Sequence, residues 1–212
     1  LGQNYLFLNF SQFLSSISEG NEYTLTDEIL NMLIWEGGPL ETAQVMLYII
    51  AASVSFFYAR RKIWKDGYSG SFILLLFAMR ELDFQKKFTG VSITRTKYYF
   101  NYDAPLLSKI LFGLLIIFLV FFIASFIIRN WKQFIYSIKK RETWALLLLC
   151  GLIFILLANV TDSIPRILKT IGIHPPDNMH LYKNLFEELF ELAIPVFFLI
   201  SLIYYRKTYL SR

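Results

Sequence analysis

ILFGLLIIFLVFFIASFII, residues 110–128, decides the fold. It contains no charged side chain. A helix rises 1.5 Å per residue, so the run is about 28 Å long, close to the roughly 30 Å of hydrocarbon in a bilayer. A charge-free helix of that length belongs in lipid. The bilayer core has no water to satisfy backbone N–H and C=O groups, so the segment must be helical there. Extended back to Leu106, it is the clearest of five apolar segments.

The others are residues 40–59 (LETAQVMLYIIAASVSFFYA), 71–79 (SFILLLFAM), 144–162 and 186–205. The second is too short to cross unless its helix continues through Arg80, Glu81 and Asp83, and a buried stub is its alternative reading. The expectation is an all-α fold: a polytopic membrane helical bundle of about five transmembrane helices over residues 40–212. A short N-terminal outer helical or interfacial segment, residues 1–39, precedes it. That segment has no basic start, and polar residues interrupt LFLNFSQFL, so it does not read as a signal peptide. Thr26 is placed to cap a short helix over residues 27–35.

Composition agrees. Of 212 residues, 56% are hydrophobic and 17% charged, against roughly 25% charged in soluble domains. Disordered and collagen-like chains and most soluble enzymes are excluded. One Cys rules out a disulfide framework, and two His leave no all-histidine metal site. The net charge of +5 needs no nucleic acid, because loops on the cytoplasmic side of a membrane collect Lys and Arg. Residues 1–59 hold neither. Twelve of the 21 basic residues follow the first, third and fifth segments: Arg60, Arg61, Lys62 and Lys65; Arg129, Lys132, Lys139, Lys140 and Arg141; Arg206, Lys207 and Arg212. This predicts the N-terminus outside and the C-terminus inside.

Only Asp66 and Glu142 among the 16 acids fall in the inner loops. Counted from the inner ends, Glu41 lies about 28 Å up its helix and Asp162 about 27 Å. Glu81 and Asp83 lie at about 18 and 21 Å, Glu191 and Glu187 at about 22 and 28 Å. Four helices thus carry carboxylates at one level near the outer face. Exposing a charge to lipid costs about 2.5–3.5 kcal/mol at mid-membrane on insertion scales. Glu81, Asp83, Asp162, Glu187 and Glu191 are therefore expected to line one cavity. Glu41, Asp162 and Glu187 read equally well as wetted helix ends. Glu188 joins Glu191 at i+3, and Glu187 shares a face with Glu191 at i+4. Arg80 is the charge partner expected at this depth, with Asp83 at i+3 its first candidate; Glu81, adjacent in sequence, should point away. Pro195 is expected to kink the last helix below these acids.

No cofactor is predicted from these residues, and the one metal set they suggest is weak. Carboxylates with a histidine are donors for a divalent cation, which makes His180, Glu187 and Glu191 the candidates; the spacing matches no zinc motif. The loop after the second segment, QKKFTGVSITRTKYYFNYD, interleaves Lys86, Lys87, Arg95 and Lys97 with aromatics. At a membrane surface that pattern suits anionic lipid headgroups rather than nucleic acid, or plain interfacial anchoring.

RELDFQKKFTG, residues 80–90, followed by a basic-aromatic stretch ending in YYF, resembles a run in a family of uncharacterised bacterial multi-pass inner-membrane proteins with an R-E-L-D-F-x-K-x-F-T motif. The family's late-segment Asp corresponds to Asp162, and its EE-x-x-E-L run to residues 187–192. The resemblance covers residues 40–205 and implies a five-helix protein of the bacterial inner (cytoplasmic) membrane. It implies no activity. Gln85 stands where the family has His, which weakens a catalytic reading. The EE run is also found in CAAX-protease-like membrane proteins, but their further Arg and His motifs are missing, so that family does not fit.

Three functions remain open on these grounds. One is an envelope accessory or structural protein, with a homo-oligomer or another membrane protein as partner. The second is a membrane-embedded enzyme acting on a lipid or isoprenoid-linked substrate at the outer leaflet. The third is a small oligomeric cation or proton transporter, for which the chain shows no inverted repeat.

Overall fold

A computed structural model describes residues 38–84, 96–100, 105–172 and 179–210. The N-terminal segment 1–37, with its expected helix after Thr26, lies outside the described residues. Among the described residues six helices follow one another: α1 (Pro39–Arg60), α2 (Gly67–Glu81), α3 (Thr96–Phe100), α4 (Leu106–Lys139), α5 (Thr143–Thr170) and α6 (Met179–Leu210). There is no strand among the described residues. Three helices, α1, α4 and α5, are long and apolar enough to cross a membrane, so the described residues form an all-helical protein of membrane type. At 15 residues, α2 rises only about 22 Å. The 32 residues of α6 are long enough to cross.

Packing divides the chain into two units. One comprises Gln44–Leu152 and Ile194–Arg212. Here α1 buries Gln44, Val45, Tyr48, Ala51, Ala52, Ser55, Tyr58 and Ala59, spaced three and four apart as one helical face. Half of that face is small: Ala51, Ala52, Ser55 and Ala59. The opposite face, with Met46, Ile49, Ile50, Phe56 and Phe57, is exposed. Without a hydrophobic force between helices in lipid, close approach of small residues holds them together, and large apolar side chains turn outward. The α1–α2 hairpin follows this rule. A Cβ on Gly67 would lie 2.7 Å from the Ser55 carbonyl oxygen, and one on Gly70 2.6 Å from the Trp64 ring. Ser55 Oγ donates to the Gly67 carbonyl at 2.7 Å.

Trp64, in the hairpin turn, is a hub. It meets Phe126 of α4 at 6.1 Å and Tyr205 of α6 at 5.9 Å between ring centroids. Tyr205 also stands edge-on to Trp144 at 5.1 Å, and Ser201 donates to the Trp144 carbonyl at 2.8 Å. Arg129 lies 3.5 Å from Asp66 and 3.4 Å from the Ser69 hydroxyl. These contacts join the C-terminal ends of α1 and α6 and the C-terminal third of α4 to the N-terminal ends of α2 and α5, so within this unit α2 and α5 run opposite to α1, α4 and α6.

The second unit comprises the described part of Leu1–Ala43 together with Ile153–Ala193. Phe154 packs on Phe190 at 5.7 Å, and Asp162 meets Lys183. The contacts step along α5 and α6 in opposite directions, as an antiparallel pair requires. Pro165 sits inside α5, which continues to Thr170. The expected segment ended at residue 162, but proline is tolerated in membrane helices because neighbouring groups satisfy the freed carbonyl.

The length of α4 also differs from expectation. The apolar run of α4 ends at Ile128, yet the helix continues to Lys139 and reaches 34 residues, about 51 Å. Its added turns bury Ser137 and expose Trp131, Lys132, Tyr136 and Lys139, an amphipathic pattern that packing can hold in water. Arg141 ends it with φ 55°, its N–H bonding the Ile138 carbonyl and that of Glu142 the Ser137 carbonyl. This is a left-handed helix stop usually filled by glycine. Lys62 ends α1 in the same way with φ 55°, so neither boundary carries the Gly that sequence reading looks for.

Candidate functional site

The candidate residues are best taken unit by unit. In the unit containing Ile153–Ala193, the structure supplies a group that the sequence reading missed. Lys183, one turn before the acidic run, is nearly buried, with 12% of its side chain exposed. Its Nζ lies 3.0 Å from Asp162 Oδ1 on α5 and 2.5 Å from Glu187 Oε2 on its own helix. Glu187 is 24% exposed and Asp162 55%. Burial alone would lower the lysine pKa. The Glu187 and Asp162 carboxylates outweigh it and hold the ammonium above its ordinary value. Two of the expected acids are thus brought together by a cation. The Glu187 half was readable as an i,i+4 pair, whereas the Asp162 half needs the antiparallel packing of α5 on α6. Glu188 and Glu191 are half-buried on the same helix, and Glu41 is half-buried in the first turn of α1.

In the other unit, α2 ends at the expected motif. Glu81 is the more enclosed acid, with 9% of its side chain exposed, while Arg80 is 52% exposed. Arg80 Nε lies 3.9 Å from Glu81 Oε1, although adjacent helical positions diverge by about 100°. The helix stops at this point, and two long side chains on its last turn can bring their tips together. Asp83 adopts φ 45°, and its N–H bonds the Arg80 carbonyl. Asp tolerates that left-handed conformation better than most residues, which gives Asp83 a role in ending the helix.

The other candidates divide by what the structure describes. Lys86, Lys87 and Arg95 lie outside the described residues, as do the side chains of Lys97 and His180. Among the described residues, no group of three or more His, Cys, Asp or Glu is placed to hold a metal ion. Tyr98, expected among lipid headgroups, is 2% exposed. It packs on Phe112 at 6.0 Å, and its hydroxyl donates to Ser108 Oγ at 3.5 Å. Burial, and then the neighbouring Tyr98, push the Tyr99 hydroxyl above its ordinary pKa. Phe100, at 83% exposure, keeps the interfacial character expected of the run. Cys150 is a half-buried free thiol.

Comparison with family models, curated proteins and solved structures returns no match. The functional reading therefore rests on the residues themselves.

Proposed function

We propose that this chain is a non-enzymatic multi-pass protein of the bacterial inner membrane, with an accessory or structural role in the envelope. On this reading α2 and α6 complete five spans with α1, α4 and α5, with the N-terminus outside and the C-terminus inside. The positive charge after α1, α4 and α6 supports that orientation. The family resemblance carried by residues 80–90 and 187–192 supports the bacterial assignment. The partners are lipid and either a second copy or another membrane protein.

One observation carries the choice of role: Lys183 is held between Asp162 and Glu187. A lysine paired with two carboxylates joins α5 to α6 and engages both acids, whereas catalysis or cation transport needs acids free to exchange protons or ligands. The enzyme reading keeps one foothold in the enclosed Glu81 side chain.

Stability and cellular phenotype together test the proposal. Asp162→Asn and Lys183→Met should each lower the melting temperature of the purified protein. The double variant should lose less than the sum, because the two residues contribute one contact. Glu81→Gln should leave envelope integrity unchanged in cells at wild-type protein level. A Glu81→Gln protein that folds and accumulates normally but loses its cellular phenotype would overturn the structural role in favour of the enzyme.

A further inference from the structure

The C-terminal ends of α1, α4 and α6 share one device. Arg61 lies over the Phe57 ring at 5.1 Å, Lys140 over Tyr136 at 4.5 Å and Lys207 over Tyr204 at 4.9 Å. In each case the cation stands about one turn beyond its ring, and all three rings are exposed. At the ends of α1 and α6 such rings settle at the boundary between hydrocarbon and headgroups, and a cation one turn farther out reaches headgroup level; Tyr136 lies beyond the apolar run of α4, which ends at Ile128.

Two of these ends are locked side by side. The Tyr209 hydroxyl donates to the Lys62 carbonyl at 3.5 Å, Trp64 packs on Tyr205, and Arg206 hydrogen-bonds the Tyr58 hydroxyl. Arg60, Arg61 and Lys62 of the hairpin therefore stand beside Arg206 and Lys207 of α6, all five exposed. The two acids of this end are engaged elsewhere: Asp66 with Arg129 at 3.5 Å, and Glu142 with the Trp144 indole N–H at 2.7 Å. Among the described residues no carboxylate pairs with the five cations, which leaves them open to an anionic ligand.

We propose that this rim binds anionic phospholipid, its phosphate held between the α1–α2 hairpin and the end of α6. The lipid is favoured over a free anion by what lies alongside. The exposed Phe57 and Tyr204 rings and the apolar outer face of α1 offer acyl chains a surface next to the cations, which inorganic phosphate would not use. This inference needs only that the chain resides in a membrane; it does not depend on the number of spans or on which face is cytoplasmic.

The test uses the purified full chain in nanodiscs, with tryptophan fluorescence quenched by brominated phosphatidylglycerol or phosphatidylcholine. Trp64, Trp131 and Trp144 all lie at this end. Phosphatidylglycerol should be preferred. Each cation near an anionic headgroup is worth up to about fivefold, so the combined variant Arg61→Gln, Lys62→Asn, Lys207→Gln should bring the preference close to one. Lys132→Gln, Lys139→Gln, Arg141→Gln removes the same charge away from the hairpin and should keep most of it. Equal quenching by the two lipids in the wild type would overturn the proposal, and so would an equal loss in both variants. Displacement by millimolar inorganic phosphate would mean a free-anion site and would overturn the lipid assignment. Should the first variant fail to fold, a salt titration of the wild type decides the matter, because a preference surviving molar salt is not made by this rim.

Discussion

Replacing Lys183 with methionine keeps the length of the side-chain stem and removes only the charge. Two carboxylates then lose their partner. Asp162 is 55% exposed, so water takes over most of the work of the ammonium, and that arm is worth about 0.2–1 kcal/mol. Glu187 is 24% exposed and lies on the same helix. A charged hydrogen bond in a partly buried setting is worth about 1.5–3 kcal/mol, discounted here because water still reaches Glu187. The expected destabilisation of Lys183→Met is about 2 kcal/mol. Equilibrium unfolding in mixed micelles measures it, within double-mutant cycles against Glu187→Gln and Asp162→Asn. The Glu187 cycle should show the larger coupling, above about 1 kcal/mol, and the Asp162 cycle less than that. The lysine pKa is raised on folding, so its contribution is complete below the unfolded value near 10.5. It is lost as pH rises through the folded value. The gap between wild type and Lys183→Met should hold constant from neutral pH to about 10 and shrink above the ordinary lysine range. A coupling to Glu187 below about 0.5 kcal/mol, the limit of additivity for independent sites, would refute the ion-pair account of this acid run.

Other expectations can be checked on the same preparation. Gly67→Ala should destabilise by about 1–3 kcal/mol, because its Cβ would meet the Ser55 carbonyl, a backbone atom that cannot give way; Gly113→Ala, whose nearest atom is 3.7 Å away, should be nearly neutral in thermal unfolding. Arg141→Gly should stabilise by about 1 kcal/mol, since a left-handed conformation costs a non-glycine residue roughly that much; an unchanged or lower midpoint would count against strain at that stop. Ser201→Ala should cost about 1 kcal/mol in the same assay by leaving the Trp144 carbonyl without its hydroxyl donor. Orientation is tested by impermeant thiol labelling of single cysteines placed at Lys169 and Gln133, with Cys150 replaced. Both positions are exposed, whereas Ser137 is 1% exposed and a poor reporter. The cysteine at 169 should label in intact cells and the one at 133 should not; the reverse pattern would invert the topology.

The sequence by itself determined that this chain is helical and lives in a membrane. Run length and the absence of charge between residues 110 and 128 leave the backbone no other way to satisfy itself in hydrocarbon. It also placed the long apolar segments and the basic clusters at their ends, because hydropathy and charge are local properties of the chain. Packing decided the rest. The apolar run of α4 stops at Ile128, so hydropathy did not reveal that the helix would continue eleven residues further on amphipathic contacts. Lys62, Asp83 and Arg141 carry none of the glycine signature of the left-handed turns they make. Asp162 and Lys183 lie 21 residues apart, beyond the reach of any helical spacing rule, and meet only because α5 and α6 run antiparallel. Depth along a helix could be read by counting residues. Which side chain faces which neighbour could not, because in lipid that choice is made by close packing between small faces and by pairing of charge, both set by the partner helix.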